Sequence, residues 1–477
     1  MENLRYNLLE FFFFFLEEVS TVQHHFELAA VVAGTEVSSS SCCRPRLFSL
    51  TQLMRLGVAA TITIMLSSYR IAATIAFRPM THRILPSLHR RQALHLLRGG
   101  ATVSASASSS SSSSSFSSEV VLEWGGDDVE TLKAAPSLII IGSPQSLETA
   151  AKGLLDSNLL EAMVGSGKSG DAGKVTSTYD AGGATALRHV SLVQLPSVGA
   201  SRHNAPSRPD AVTALLSSAL SAGPNAKSEQ AVHVAAVLES ESDRHAVTCA
   251  IGKAFPRFSM KSTPSVQESN AGAESPSAEK VVRVSFIDTA GQVLFTKEEY
   301  TKSAITASAI RRAQELVDLP PEMLNVDGMV AEAVATANRL NALRESSGGG
   351  PVTVQVLRGE ELLEKGYGGI WGVGKAAKEP PALVVLSYEP VSPSEDTETV
   401  AWVGKGIVYD TGGLSLKVGG GMVGMKSDMG GAAAMLAAFE AAVQLGTPQR
   451  LHLLLCLAEN AIGPGAFRND DILKVRR

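Results

Sequence analysis

The chain has 477 residues, 44% hydrophobic and 19% charged, which is enough apolar material for a sizeable core and excludes global disorder. Its net charge of −5, from 42 Lys and Arg against 47 Asp and Glu, gives no whole-chain reason to expect a nucleic-acid partner. Four cysteines, two adjacent (Cys42, Cys43) and two isolated (Cys249, Cys456) with no C-x-x-C, argue against a disulfide framework and against thiolate zinc sites, as in a soluble intracellular protein.

Residues 1–118 read as a low-complexity leader. No acidic residue occurs between Glu36 and Glu119, while arginines recur from Arg44 to Arg98 without a lysine and a serine run spans Ser108–Ser115. That composition suits an organelle transit peptide, yet residues 1–36, with six glutamates and the run Phe11–Phe15, precede it. Either translation starts at Met54 or a later methionine, or the segment is a disordered extension. The expected location is cytoplasmic, or mitochondrial or plastid if residues 37–118 act in import. Leu56–Leu66, fenced by Arg55 and Arg70, is well short of the roughly 20 residues needed to span a bilayer.

From residue 119 the pattern is α/β. Ser137–Ile141, Val190–Leu195, Val232–Leu238 and Val281–Ile287 are short apolar runs of strand length. In Asp210–Ala222, the residues Val212, Leu215, Leu216, Ala219 and Leu220 recur at helical spacing, and Leu147–Met163 also looks helical. Alternation of this kind predicts a largely parallel sheet with helices on its faces, interrupted by a surface loop at Ser259–Lys280. A helix around Ile305–Leu319, stopped by Pro320 and Pro321, marks the boundary between a smaller α/β domain (119–303) and a second α/β domain (304–477). There, Asp327–Leu340 reads as an amphipathic helix, Val352–Val356 as a half-buried strand and Ala382–Leu386 as a buried one.

Two motifs lead nowhere. Gly165-Ser-Gly-Lys-Ser169 resembles the end of a phosphate loop, but Ala162 stands where the pattern needs glycine, and a flexible loop is the better reading. No G-x-S-x-G elbow occurs, and His452 within Leu451–Leu457 reads as a satisfied strand histidine.

The chemistry lies in Val400–Gly431, VAWVGKGIVYDTGGLSLKVGGGMVGMKSDMGG. Val400–Val403 and Ile407–Tyr409 read as an apolar strand pair interrupted by Gly404-Lys405-Gly406. A lysine buried there is costly without a partner. Asp410 ends the strand, where α/β sheets usually present functional groups, and Thr411-Gly412-Gly413 turns the chain towards Lys417. Asp428 opens an alanine-rich helix, Gly430–Leu445. Two carboxylates and two lysines thus fall within 24 positions. Carboxylate oxygens with an amine suit a divalent ion of the Mg, Mn or Zn type, provided the lysine is neutral. Two plainer readings stand beside this one: Lys405–Asp410 as a buried ion pair, and Asp428 as a helix N-cap.

The run Gly404-Lys-Gly-Ile-Val-Tyr-Asp-Thr-Gly-Gly413, with Lys417 and Lys426-Ser-Asp-Met-Gly-Gly-Ala-Ala433, resembles the leucyl (cytosol) aminopeptidase family of di-metal exopeptidases. Tyr before the aspartate is most similar to its probable aminopeptidase-like 1 subgroup. Glu315–Asn325, Gly366–Pro381 and Cys456–Asp471 extend the resemblance. It implies a smaller N-terminal α/β domain and a catalytic α/β domain whose central mixed sheet is flanked by helices. Lys405, Asp410 and Asp428 would ligate two divalent cations (Mn or Zn, with Mg possible), Asp410 touching both. Lys417 would polarise the scissile carbonyl, and the ions would hold the α-amine and activate a water that releases N-terminal residues from peptides. Such enzymes are typically homo-hexamers, with no nucleic-acid or membrane partner expected here.

The family's second ligand cluster, Asn-Thr-Asp-Ala-Glu-Gly-Arg, which also binds a bicarbonate cofactor, does not occur in the chain. The sequence reading is therefore of a catalytic domain truncated before that cluster, with an incomplete second metal site, at most weak binding of a single ion and doubtful activity. The alternative is a non-catalytic assembly or regulatory subunit.

Overall fold

The computed structural model describes residues 120–165, 173–181, 187–196, 207–222, 231–259, 280–294, 296–345 and 350–475. The leader, the residues after Gly165 in the phosphate-loop look-alike and the interior of the expected loop at 259–280 lie outside them. Among the described residues no helix is long and apolar enough to cross a membrane.

The first sheet is built from β1 (Val120–Trp124), β2 (Ser137–Gly142), β3 (Lys174–Asp180), β4 (Arg188–Gln194), β5 (Val232–Val237) and β6 (Lys280–Ile287) in the order β1-β6-β5-β2-β4-β3. All pairings are parallel except β3 with β4. The parallel sheet expected from the apolar runs is present, with β1 and β3 as further strands. In β2 every residue is buried, Ile139 and Ile141 facing one apolar cluster and Leu138 and Ile140 the other. This is the double burial of a central parallel strand.

Between these strands run α1 (Val129–Ala134), α2 (Pro144–Ala150), α3 (Ser157–Gly165), α4 (Pro209–Ser221) and α5 (Glu241–Ala254). Their starts are written locally: Asp128, Ser143 and Ser240 each accept a backbone N–H of the first turn, at Thr131, Ser146 and Asp243. The single helix expected over Leu147–Met163 is α2 and α3 with a 3-10 turn, Ala151–Gly153, between them. Beneath them lies a buried ion pair, in which Arg188 holds Asp180 at 2.7 Å and donates to the carbonyl of Leu154.

Helix α6 (Lys297–Asp318) opens with a capping box, Thr296 and Glu299 exchanging side-chain and backbone hydrogen bonds. Residues 303 and 304, the expected domain boundary, fall inside it, and it packs against both α5 and the later helix α10. After α7 (Val326–Glu345), β7 (Val352–Arg358), α8 (Glu360–Glu364), α9 (Gly368–Gly374), β8 (Ala382–Tyr388), β9 (Thr399–Asp410), α10 (Gly430–Gln444) and β10 (Arg450–Asn460) complete the described fold.

The second sheet runs β7-β8-β10-β9, mixed, with β9 and β10 parallel and the other neighbours antiparallel. His452 on β10 shares a 2.8 Å hydrogen bond with Ser387 on β8, as a satisfied strand histidine should.

Two local expectations are corrected. Val400–Val403 and Ile407–Tyr409 are not a pair: β9 is one continuous 12-residue strand through Gly404-Lys405-Gly406. The glycines are there for packing, since a Cβ on Gly404 would lie 2.7 Å from Ala432 Cα at the start of α10. Nor is Lys405 buried, because its side chain is 63% exposed.

Candidate active site

Strand β9 ends at Asp410, and the chain then turns through Gly412 and Gly413 at φ of +85° and +62°. A side chain is excluded at Gly412 twice over, since its Cβ would sit 2.3 Å from the carbonyl oxygen of Ser415. The turn is closed by the Lys417 N–H donating to Thr411 O at 2.9 Å, which brings the Lys417 side chain back over the strand end. Its Nζ donates to Asp410 Oδ2 at 2.7 Å and lies 2.9 Å from Met425 Sδ.

Met425 begins a 3-10 turn, Met425–Met429, which carries Asp428. Asp428 accepts from Lys405 Nζ at 2.5 Å. The glycine pair that follows lets this turn close on β9: a Cβ on Gly431 would meet Lys405 N and O at 3.3 Å. The two lysines and two carboxylates named from the sequence thus meet between one strand end and one turn.

Their pairing differs from the sequence reading. Lys405 reaches Asp428, not Asp410, and Asp410 is held by Lys417. Asp428 is no N-cap either, because α10 begins after Met429 and has no side-chain cap. Its carboxylate is free of a helix-starting role and accepts from an amine that is itself largely in solvent.

Asp410 is held more closely. Besides Lys417, the Gly412 N–H donates to Oδ1 at 2.9 Å and Asn460 Nδ2 donates to the same oxygen at 2.7 Å. Burial works against the charged form, but the Lys417 ammonium, the Gly412 amide and the Asn460 side chain outweigh it and hold the Asp410 pKa below its ordinary value. Asn460 ends β10 and is tied in through its backbone, its carbonyl accepting from Thr411 N at 3.1 Å and Thr411 Oγ1 at 2.6 Å. Its Oδ1 is buried without a hydrogen-bond donor. Sequence reasoning assigned Asn460 no role. The usable signal was its place at the end of the strand parallel to β9, in register with Asp410.

The donor set is one amine and two carboxylates, a chemistry that fits a divalent cation. Among the described residues no cluster of three His, Cys, Asp or Glu side chains forms, so the amine is needed to make a third donor. Asp471 Oδ2 accepts from the Arg468 N–H at 2.7 Å.

A mixed sheet with lysines and aspartates at a strand end beside a helix start places the chain among α/β proteins with polar sites at their strand termini. Comparison narrows this: residues 311–477 match "Cytosol aminopeptidase family, catalytic domain", and 136–264 match "M17 aminopeptidase N-terminal domain 2". The chain belongs to the cytosol aminopeptidase family. It is 40% identical over 289 residues to the probable aminopeptidase NPEPL1 of Homo sapiens, covering 60% of this chain and 49% of that one. It is 41% identical over 226 residues to leucine aminopeptidase 1 of Caenorhabditis elegans, covering 47% and 40%.

The solved leucine aminopeptidase of C. elegans superposes with a TM-score of 0.56 at 32% identity, over 75% of this chain and 65% of that one. An apo leucyl aminopeptidase from Trypanosoma cruzi gives 0.57 at 33%, over 74% and 65%. A Trypanosoma brucei leucyl aminopeptidase in complex with actinonin gives 0.57 at 31%, over 74% and 64%. The chain spans about half the length of the first curated relatives it matches.

Proposed function

We propose that this chain carries the metal-dependent aminopeptidase chemistry of its family, the release of N-terminal residues from peptides. The observation that carries the reading is the convergence of Lys405, Asp428, Asp410 and Lys417 on one strand end and one turn, with Asp410 fixed from three sides.

In this reading Lys405, Asp410 and Asp428 hold the cation, of the Mn, Zn or Mg type. The metal supplies a Lewis acid for the substrate's amine and carbonyl and a water of lowered pKa. Three donors serve one ion in part, and a second ion needs donors beyond them. Lys417 provides the positive charge beside the scissile carbonyl: its ammonium, steadied by Asp410 and Met425, stabilises the negative charge that develops on oxygen. Asn460 and the Gly412 amide keep the Asp410 carboxylate in one orientation. Asp428 is 22% exposed, so its carboxylate is partly open to solvent. A homo-hexameric assembly and a cytoplasmic location belong to the same proposal, supported by the family resemblance.

The test is release of leucine from leucine amide by the purified full chain, with and without added Mn2+, alongside Lys417→Met and Asp428→Ala. Mn-dependent release that falls by about 100-fold or more in Lys417→Met supports the reading, by analogy with loss of one oxyanion donor. Release indifferent to chelation and to both substitutions overturns it. Mn2+ binding without hydrolysis in the unaltered chain points instead to the non-catalytic subunit.

A further inference from the structure

At the other end of the second sheet, Arg344 in the last turn of α7 is a buried cation with no carboxylate partner among the described residues. It is 9% exposed. Its Nε donates to Gly350 O at 2.8 Å, and its guanidinium lies 4.6 Å over the Tyr388 ring. Nη2 is buried and has no hydrogen-bond acceptor. Other buried or half-buried guanidiniums are better provided for: Arg188 has Asp180, Arg312 has Glu315 and Glu332, and Arg311 donates to the carbonyls of Phe255 and Val120. Among the described residues no carboxylate pairs with Arg344. The negative end of α7 and the Tyr388 ring face each offset part of the charge, but neither supplies an acceptor for Nη2. A desolvated charge left this way is costly unless something else completes it.

The same guanidinium lines a cleft of about 600 Å³, within the size range of small-molecule sites. Its apolar walls include Leu340, Tyr388 and Val443, all buried, and Leu343 and Val391, which are 54% and 66% exposed. Tyr388 pairs with Leu451, which pairs with Val400, so the cleft lies at the start of β9, whereas Asp410 is at its end. Ten residues of strand separate the two levels, about 33 Å at strand rise, so the cleft is no part of the candidate active site.

We propose that this cleft binds a small organic monocarboxylate, its charged head on Arg344 and its apolar body along Leu343 and Val391. One guanidinium balances one negative charge. A dianionic phosphate would leave excess charge against apolar walls and would use none of them.

The experiment is calorimetric titration of the chelated full chain with sodium octanoate, octan-1-ol and inorganic phosphate as separate probes. Expected are saturable 1:1 binding of octanoate, binding of octanol weaker by about tenfold or more, and none of phosphate; about tenfold corresponds to loss of one charged contact. Arg344→Met should weaken octanoate by a similar factor. So should Val391→Trp, which obstructs the exposed wall without touching the guanidinium and carries no folding risk at an exposed position. Equal affinity for octanoate and octanol, phosphate binding in place of octanoate, no octanoate binding at about 5 mM, or octanoate binding unchanged in Val391→Trp would each overturn the proposal. None of these readouts depends on peptide hydrolysis, so the proposal stands or falls apart from the catalytic reading.

Discussion

Asn460→Ala separates the two jobs that one side chain does at the candidate site. Asn460 Nδ2 gives Asp410 a hydrogen bond of 2.7 Å, and bonds of this kind to a charged group are worth about 1.5–3 kcal/mol. Its Oδ1, buried with no donor, costs about 1–3 kcal/mol in the native state. Alanine removes both terms, and they oppose, so the metal-free protein should change stability by no more than about 1 kcal/mol, a melting shift within about 4 °C. Cation affinity has no such cancellation. Asp410 keeps Lys417 and the Gly412 amide but loses one of the two donors that fix Oδ1, and loss of such an orienting partner typically costs about 10–100-fold in metal affinity. Calorimetric titration with Mn2+ and a thermal melt of the chelated protein, each on both chains, give the two numbers. Affinity unchanged within about twofold would refute the orienting role. A melting drop of about 10 °C would show that the cancellation is wrong and that Asn460 holds β10 in place.

Other substitutions test the packing around this site and the first sheet. Gly404→Ala puts a Cβ against backbone atoms of Ala432 and Gly431, which cannot swing aside, so urea unfolding should show a loss of about 1–3 kcal/mol. Gly153→Ala, with open space around it, should stay within about 0.5 kcal/mol in the same assay. Asp180→Ala leaves the Arg188 cation buried and should cost about 3–5 kcal/mol, whereas the pair Asp180→Leu with Arg188→Met should cost much less. Burial depresses the His452 pKa although Glu389 nearby raises it, so the unfolded chain takes up the proton first. Stability from this residue is complete above the unfolded value of about 6.5 and is lost as pH falls from there towards the folded pKa. His452→Gln should flatten that part of the melting-temperature profile.

The first sheet was legible where burial is two-sided and hidden where it is not. β2, β4, β5 and β6 carry apolar runs because neighbours on both faces exclude water. β3, Lys-Val-Thr-Ser-Thr-Tyr-Asp, has no such run, because it lies at the sheet edge and is mostly half-buried. Its place is set by hydrogen bonds to β4 that its own composition does not announce. The opposite edge strand, β1, mixes Glu123 into an otherwise apolar segment because that side chain faces water and meets Arg283 of β6.

In the candidate site the residue types were legible and the partners were not, for a reason that strand geometry makes plain. Lys405 and Asp410 lie on what proves to be one continuous strand, and between them the register against β10 slips, Ile407 to Asp410 on β9 facing Ala458 to Asn460 on β10, a bulge that resets the alternation of faces before the strand end. Reading Gly404-Lys405-Gly406 as a break hid both the continuity of the strand and this bulge. In the whole strand, Lys405 reaches the turn before α10, where Asp428 stands. Asp410 is left to the groups at the strand end, Lys417 from the glycine turn and Asn460 from the parallel neighbour. The glycines that suggested a break are what permit continuity, because they let the start of α10 lie directly on the strand and deliver Asp428 to the amine. The cation-binding geometry proposed here is therefore a property of helix-on-strand contact. Substitutions at Gly404 and Gly431 should weaken Mn2+ binding even though neither residue has a donor atom in its side chain.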